Sequence, residues 1–346
     1  MLNRRIIRIK VFQTLFALHS GSFDLNEKMS FTSKSKIVLY NRSIEEKLDI
    51  AERFLNTWLD ELYNLYFFIF KFLIDIKDFE KRKIEKNKSK LLPTEEDLNP
   101  NLRFVNNLII NGIENNAFFK QKQNQINRQS QDFEQVIAEI YNRLIKTDFF
   151  VEYKQKRENN FAEDKELVLE ILKFLWNEDE FYEYVADLST YWIDAIGLFI
   201  EKAYITLKRL NEKFLTKNFF FKQFRSNFDR DFAVKLLRKS AYHIDEYTEY
   251  LKRTVKNWDI NRMITTDYLL MIMGIAEAVN FEDIPLSVSI DEYIEISKYY
   301  STKKSYVFIN GTLEAIYCIL HKENKIKKSG RGLVDKFKYS EKCLKN

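Results

Sequence analysis

The chain contains few of the residues that make turns and few that hold metals or disulfides. Its 346 residues include 7 Gly and 3 Pro, and a protein of many short strands needs more turn residues than this. Two cysteines, Cys318 and Cys343, are too few for a disulfide framework or a zinc set, so we expect two thiols in a reducing cytoplasm. The most apolar window, residues 62–74, is interrupted by charge and too short to span a bilayer. These shortages predict an all-α protein without a membrane partner.

The sequence also lacks the signatures of common catalytic and cofactor sites. Its histidines, His19, His243 and His321, are isolated and have no partners at zinc-ligand spacing. There is no phosphate-binding P-loop, no dinucleotide-binding glycine run and no G-x-S-x-G motif. We therefore expect a binding protein rather than an enzyme, with no metal and no cofactor.

Basic residues are concentrated at the two ends of the chain. Residues 322–346 hold nine Lys or Arg against three acidic residues, and residues 1–10 hold four basic residues and no acidic one. The formal net charge is only +5, so the long middle of the chain is net negative. This asymmetry favours a polyanionic partner that is contacted through the termini.

One carboxyl-terminal stretch combines a helix start with an Asn-Gly pair that helix propensity disfavours. Ser289 and Glu292 have the spacing of a capping box, which predicts a helix from Ile290. Beyond a polar break, apolar residues recur at helical spacing straight through Asn310-Gly311: Ile309, Leu313, Ile316 and Leu320. Gly inside a helix costs about 1 kcal/mol relative to Ala, so we expect Gly311 to allow close approach of a second backbone.

Three segments in a fixed order carry a family resemblance. The carboxyl-terminal segment has Pro285, the helix 290–298, a break near Ser301 and then Phe308-Ile309-Asn310-Gly311 with Leu313. The segment before it has Trp258, Asp259, Arg262, Asp267, Leu270, Met271 and Glu277. The opening segment has Arg4-Arg5, Arg8 and Phe12-Gln13-Thr14-Leu15-Phe16. Together, over residues 3–19 and 228–321, this pattern resembles the NusB transcription antitermination factors.

The resemblance has departures. About two hundred residues separate the opening segment from Trp258, whereas typical members are short, so this chain resembles an enlarged form. Ile272 stands where many members carry Arg, which removes a polar group at that position. Lys303 and Lys304 precede Phe308, where some members are acidic at the second place, and the change of sign strengthens attraction to phosphate.

The resemblance implies a fold and a function. The fold is an all-α, NusB-like helical bundle, enlarged by additional helices in the middle of the chain. The function is transcription antitermination, by binding boxA-like single-stranded RNA together with the ribosomal protein NusE in an RNA polymerase elongation complex, especially on ribosomal RNA operons. The candidate RNA-binding residues are Arg4, Arg5, Arg8, Lys10, Gln13, Lys303, Lys304, Ser305, Phe308 and Asn310.

The opening arginines also have a physical argument of their own. Arg4, Arg5 and Arg8 lie in the first turns of a helix, where the helix dipole already presents partial positive charge. The arginine charges are unfavourable there, and a bound anion would offset this repulsion. Arg4 and Arg8 are four residues apart and share a face, which suits bidentate contacts to phosphate. The alternative is a solvated helix with incidental arginines.

The second candidate region has a similar pair of interpretations. Lysines 303 and 304 attract an RNA backbone, while Phe308 can stack on a base and Asn310 can bind a base edge. Alternatively, Phe308 belongs to the core and Asn310 makes a structural hydrogen bond.

The middle of the chain predicts helices but no function. Residues 43–82, 126–158, 164–216 and 228–257 carry apolar residues at three-to-four spacing, and aromatic runs such as Tyr66-Phe67-Phe68 are expected in the core. Residues 81–100 and 20–36 are expected to be a linker and a loop, and residues 325–331 a disordered basic arm. We therefore divide the chain into an N-terminal helical subdomain (1–227), a NusB-like subdomain (228–321) and a basic tail (322–346).

Two alternatives remain from the sequence. One is a helical scaffold that binds protein without RNA, for which the long aromatic insertion is the best argument. The other is a NusB-like module accessory to an RNA methyltransferase, although this chain has neither the glycine-containing cofactor domain nor the reactive cysteine motif of such an enzyme.

Overall fold

The computed structural model describes residues 2–24, 36–38, 42–126, 130–226, 228–255 and 263–335. Within these ranges the chain forms fifteen α-helices and one short antiparallel pair of strands. The prediction of an all-α protein is confirmed. Trp258, Asp259, Arg262 and Cys343, which carried parts of the sequence interpretation, lie outside the described residues.

The described residues divide into two compact units. The terminal unit combines residues 2–59 with the chain from residue 224 onward, and the insertion unit is residues 60–223. Helix α2 (Ile44–Lys88) runs from the first unit into the second. The first helix of the chain therefore belongs with the carboxyl-terminal helices. The division of the chain into 1–227, 228–321 and 322–346 stays a prediction.

The terminal unit is a bundle in which α1 packs on α11 and α13, while α13, α14 and α15 pack on one another. Ile7, Val11 and Leu15 of α1 are almost fully buried, and each such side chain stabilises the fold by about 1.5–3 kcal/mol. The elements besides the start of α2 are α1 (Arg4–His19), β1 (Ser22–Asp24), β2 (Lys36–Val38), α11 (Phe228–Tyr242), α12 (Ile244–Thr254), α13 (Thr265–Asn280), α14 (Leu286–Tyr300), α15 (Ser305–Lys322) and a 3-10 helix (Gly330–Asp335).

Local signals explain where several of these helices begin. The Asn3 side chain accepts from the Ile6 N–H and caps α1. Ser43 and Glu46 exchange hydrogen bonds in a capping box at the start of α2. The predicted capping box of Ser289 is wrong, because α14 already begins at Leu286 after Pro285 and Ser289 is buried inside it.

The helix through the Asn-Gly pair is confirmed, but the reason given for Gly311 is wrong. Ile309, Leu313 and Ile316 of α15 are fully buried. Among the described residues, nothing lies within 4 Å of a Cβ placed at Gly311, so no second backbone from these segments approaches there. The crowded glycine is Gly274 of α13, and its neighbour is a side chain: a Cβ there would lie 2.9 Å from the Leu313 methyl carbons.

The insertion unit is built around aromatic side chains. Tyr66, Phe67 and Phe68 are at most 1% exposed, which confirms that this run belongs to the core. The predicted long helical stretches are broken into shorter helices that fold back on one another. Besides the second part of α2, these are α3 (Glu95–Leu98), α4 (Leu108–Asn115), α5 (Ala117–Ile126), α6 (Phe133–Leu144), α7 (Asp148–Lys154), α8 (Phe161–Trp176), α9 (Asp179–Leu188), α10 (Ile196–Lys208) and a 3-10 turn (Glu212–Phe214).

Three expectations about irregular segments and cysteines are corrected. The predicted linker 81–100 begins too early, because α2 continues to Lys88. Residues 325–331 are not a disordered arm, since they lead into the 3-10 helix Gly330–Asp335, which packs against α14. Cys318 is disulfide-bonded, so the expectation of a thiol there is wrong.

Candidate nucleic-acid interface

The three arginines of the first helix all face carboxylates, but with very different exposure. Arg5 forms a bidentate pair with Glu292, at 3.0 Å from both Nε and Nη2, and its side chain is 48% exposed. Arg4 lies 3.5 Å from both Asp229 and Asp283 and is 34% exposed. Arg8 is only 3% exposed. The opening turn therefore carries two accessible arginines and one structural arginine.

Arg8 is held in a buried network around Glu277 of α13. Its Nε and Nη2 donate to the two carboxylate oxygens at 2.8 and 2.6 Å. Ser289 and Tyr293 of α14 donate to the same oxygens at 2.7 and 3.0 Å. Burial opposes ionisation of Glu277, but the Arg8 charge and these hydrogen bonds outweigh it and hold the pKa of Glu277 below its usual range. The network fixes α1 against α13 and α14.

Lys10 and Gln13 continue the row along α1. Lys10 is 2% exposed, and its ammonium lies 4.2 Å from the centre of the Trp58 ring and 3.0 Å from Gln13 Oε1. Gln13 in turn donates to the Tyr300 hydroxyl at 3.3 Å. Lys10 therefore supports Gln13 from inside the unit, while Gln13 reaches the end of α14.

These contacts align α1 and α14 in parallel. Arg5 meets Glu292 and, further along, Gln13 meets Tyr300, so equal steps along both helices bring their side chains together. At 1.5 Å per residue the two contacts lie about 12 Å apart. We call the line between these helices the α1–α14 seam, defined by the pairs Arg5–Glu292 and Gln13–Tyr300.

The loop after Tyr300 continues the line of this seam and is held by hydrogen bonds to a buried carboxylate of α13. Asp267 of α13 is 4% exposed and accepts hydrogen bonds from the hydroxyls of Ser301 at 2.5 Å and Ser305 at 2.7 Å. The loop between these two residues is thereby fixed, and Lys303 and Lys304 project from it as exposed residues.

The remaining candidates lie on α15. Ser305 is buried and bound to Asp267, as described. Phe308 and Asn310 are half-buried, and Gly311 beside them is exposed. Phe308 is thus neither fully buried nor fully exposed, and stacking on a base stays a prediction for it.

The structure thus sorts the ten candidates by accessibility. Five are at least partly accessible along or next to the seam, namely Arg4, Arg5, Gln13, Lys303 and Lys304. Phe308 and Asn310 are partly accessible on α15, and the buried candidates are Arg8, Lys10 and Ser305. Sequence reasoning gave no role to Ser289 and Tyr293 in holding Glu277. The signal that could have shown it was Glu277 itself, a single carboxylate within the apolar run of α13, because a buried charge requires donors.

The described residues contain neither a cluster of metal ligands nor a membrane-spanning helix. They include no group of three or more His, Cys, Asp or Glu residues placed to hold a metal ion. In the same part of the chain, no helix is both long and apolar enough to cross a bilayer.

Comparison with known proteins gives one consistent result. Residues 201–317 match the model of the NusB family. The transcription antitermination protein NusB of Salinibacter ruber is 41% identical over 105 residues, which are 30% of this chain and 66% of that protein. The protein of the same name from Chloroherpeton thalassium is 42% identical over 106 residues, 31% of this chain and 50% of its own.

A third relative agrees. The transcription antitermination protein NusB of Methylacidiphilum infernorum is 38% identical over 88 residues, 25% of this chain and 62% of its own. The chain spans between one half and two thirds of the length of these relatives. No solved structure gives a significant match.

Proposed function

Residues 201–317 are a NusB family domain, and from this premise we propose that the chain is a transcription antitermination factor. In this proposal it holds boxA-like single-stranded RNA, together with the ribosomal protein NusE, in an RNA polymerase elongation complex. It favours continued elongation on ribosomal RNA operons in the bacterial cytoplasm. The name that the relatives share supports a role in transcription antitermination. The geometry of the α1–α14 seam supports the binding of RNA.

The observation that carries the RNA proposal is the continuity of the seam. Arg4 and Arg5 lie at its beginning, and Gln13 joins α1 to Tyr300. Lys303 and Lys304 follow in the loop after Tyr300, the first of them three residues on. Cationic side chains at both ends of a line about 12 Å or more in length suit an extended backbone with several phosphates.

The accessible residues are proposed as the direct contacts. Arg4, Arg5, Lys303 and Lys304 bind phosphates, and RNA phosphate competes with Glu292 for Arg5. Gln13 and Asn310 supply amide groups for base edges. The buried candidates act indirectly: Arg8 fixes α1, Lys10 holds Gln13, and Ser305 fixes the lysine loop.

The test is a filter-binding titration of boxA RNA at several salt concentrations, with and without NusE. The double substitution Lys303→Ala/Lys304→Ala should weaken binding and lower the log–log salt slope by about 0.7 for each phosphate that the variant no longer binds. Arg5→Ala should do the same for one phosphate. These positions are exposed, so melting temperatures should stay close to that of the unmodified protein.

Two results would contradict these proposals, one for the RNA path and one for RNA binding itself. If the protein binds boxA RNA with an affinity and a salt slope that neither substitution changes, the RNA does not follow the α1–α14 seam. If no RNA binding occurs with or without NusE, the RNA proposal itself fails.

The insertion unit supports a second candidate, a helical scaffold for protein partners. Leu91 and Leu92 are almost fully exposed side by side, and Trp176 is 45% exposed. We propose the exposed Leu91-Leu92 pair as a partner contact, since a contiguous apolar surface marks an interaction site where a scattered apolar residue does not. Binding of NusE without any boxA RNA affinity would favour this candidate.

A further inference from the structure

A pocket of about 900 Å³ lies at the beginning of the α1–α14 seam and gathers arginines from three separate segments of the terminal unit. Its volume is sufficient for a phosphate group with its sugar. The arginines that line it are Arg4, Arg5, Arg8, Arg225 and Arg331. Two of these, Arg225 and Arg331, lie far from the first helix in sequence and play no part in the seam.

Arg225 is placed by pairing between the start of the chain and the segment before α11. Leu2 and Phe224 form a parallel β-bridge, and Leu2 is fully buried. Just after this bridge, the Ser226 N–H donates to Asp229 at 3.1 Å. The segment is thus held on both sides of Arg225, whose own side chain is exposed.

Arg331 is placed by the segment that follows α15. Lys328 Nζ donates to the Phe281 carbonyl at 2.8 Å, and the Ser329 N–H donates to the Glu282 carbonyl at 3.0 Å. Gly332 packs so closely on that carbonyl that a Cβ would lie 1.9 Å from its oxygen. Any residue other than Gly at 332 would displace this turn, so the path that brings Arg331 to the pocket is specified by the chain.

The charges of the pocket are not balanced. Its carboxylates, Asp229, Asp283 and Glu292, already face Arg4, Arg5 or Arg8. Among the described residues, neither Arg225 nor Arg331 has an ion pair. Arg8 is neutralised by the buried Glu277, so the other four arginines of the pocket face three carboxylates and leave positive charge directed at open space. The first turns of α1, α11 and α14 also border the pocket and add positive potential.

We propose that this pocket binds a phosphate group of the RNA, with Arg225 and Arg331 as its principal ligands. Guanidinium groups bind phosphate by paired hydrogen bonds, and two that approach from opposite segments can hold one phosphate between them. The pocket extends the RNA path beyond Arg5 and gives the carboxyl-terminal segment a role in RNA binding. This inference rests on the proposed function.

The experiment compares full-length variants in the boxA RNA titration described above. Arg225→Ala/Arg331→Ala should weaken RNA binding about tenfold and lower the salt slope by about 0.7 for each phosphate that is no longer neutralised. The matched control is Lys146→Ala/Lys213→Ala, which removes the same charge from exposed positions of the insertion unit and should change little. Arg225→Lys/Arg331→Lys keeps the charge, removes the paired geometry and should give an intermediate loss of affinity. Circular dichroism spectra that match the spectrum of the unmodified protein are the criterion that each of the three variants is folded.

The outcomes separate this inference from the proposed function. If the Arg225/Arg331 variant binds RNA like the unmodified protein while Lys303→Ala/Lys304→Ala weakens binding, the pocket inference is overturned and the seam stands. An equal loss of affinity in the insertion-unit control would also overturn it, because net charge alone would then explain the effect.

A second arm uses inorganic pyrophosphate in place of RNA. If the unmodified protein binds no RNA but is stabilised against heat by pyrophosphate, and Arg225→Ala/Arg331→Ala abolishes that effect, the pocket is a site for free phosphate compounds and its RNA assignment is overturned. If pyrophosphate competes with RNA in the unmodified protein and loses that ability in the variant, the proposal is supported.

Discussion

The terminal unit and the insertion unit each bury a carboxylate, and the two surroundings shift its pKa in opposite directions. Glu277 in the terminal unit accepts four hydrogen bonds, two from Arg8 and one each from Ser289 and Tyr293, and its pKa is lowered. Asp75 in the insertion unit has one charged donor, Lys71, and burial raises its pKa to about 6 despite that donor.

This difference shows that burial does not by itself determine the state of a carboxylate. Desolvation favours the neutral acid in both units, and the number and charge of the donors decide the outcome. Glu277 is surrounded by donors because it joins three helices. Asp75 is paired within its own helix, four residues from its lysine, so it gains little from the fold.

The largest expected effect comes from removing the arginine of the terminal unit. Arg8→Met leaves Glu277 buried without its cation and should lower the free energy of unfolding by roughly 3–5 kcal/mol. Urea unfolding followed by circular dichroism measures this change. Replacing both partners, in Arg8→Met/Glu277→Leu, should recover much of it. A decrease below about 1 kcal/mol in the single variant would contradict the proposed importance of the pair.

The opposite change is expected in the insertion unit. Because the folded pKa of Asp75 is raised to about 6, its ionisation destabilises the fold progressively as pH rises from about 4 to 6. Asp75→Asn should therefore stabilise the protein by roughly 1–3 kcal/mol at pH 8 and have little effect near pH 4. Thermal unfolding of the unmodified protein and of the Asp75→Asn variant between about pH 4 and about pH 8 measures this difference in stability. An equal effect at all pH values would show that Asp75 does not titrate in this range.

A smaller effect should follow from removing one hydroxyl donor. Ser289→Ala should cost about 1–2 kcal/mol at pH 7 and bring the pKa of Glu277 closer to its ordinary value. Since that pKa is lowered in the fold, the stabilisation is present above about pH 4.3 and is lost as pH falls further. The difference between variant and unmodified protein should shrink near pH 3. A constant difference would mean that Ser289 acts through packing alone.

The smallest effect is expected at the exposed pair on the same helices. A double-mutant cycle on Arg5 and Glu292 should give a coupling of about 0.2–1 kcal/mol that declines with added salt. A coupling as large as that of Arg8 with Glu277 would remove the distinction between the buried and exposed arginines of α1.

The sequence predicted the helical segments better than their ends. Periodic apolar residues located α15 through its Asn-Gly pair and the aromatic core of the insertion unit, because these signals are local. The capping box at Ser289 was wrong because the Glu277 carboxylate accepts its hydroxyl, and no local pattern reveals an acceptor on another helix. The carboxyl-terminal arm looked disordered from its charge, yet backbone contacts with residues 281 and 282 hold it.

The candidate site shows the same limit. Sequence reasoning grouped Arg4, Arg5 and Arg8 by type and spacing, and it could not assign different surroundings to residues three positions apart. It gave no site to Arg225 or Arg331, because both reach the pocket only through contacts between distant segments.

The amino-acid sequence by itself determined the helical class, the family resemblance and the basic character of the ends, since these depend on composition and on spacing within a few turns. Only the tertiary structure decided which cations are available for a ligand. The physical reason is pairing across the chain: Arg8 meets Glu277 over a separation of 269 residues, and such a contact neutralises one arginine while its neighbour stays exposed.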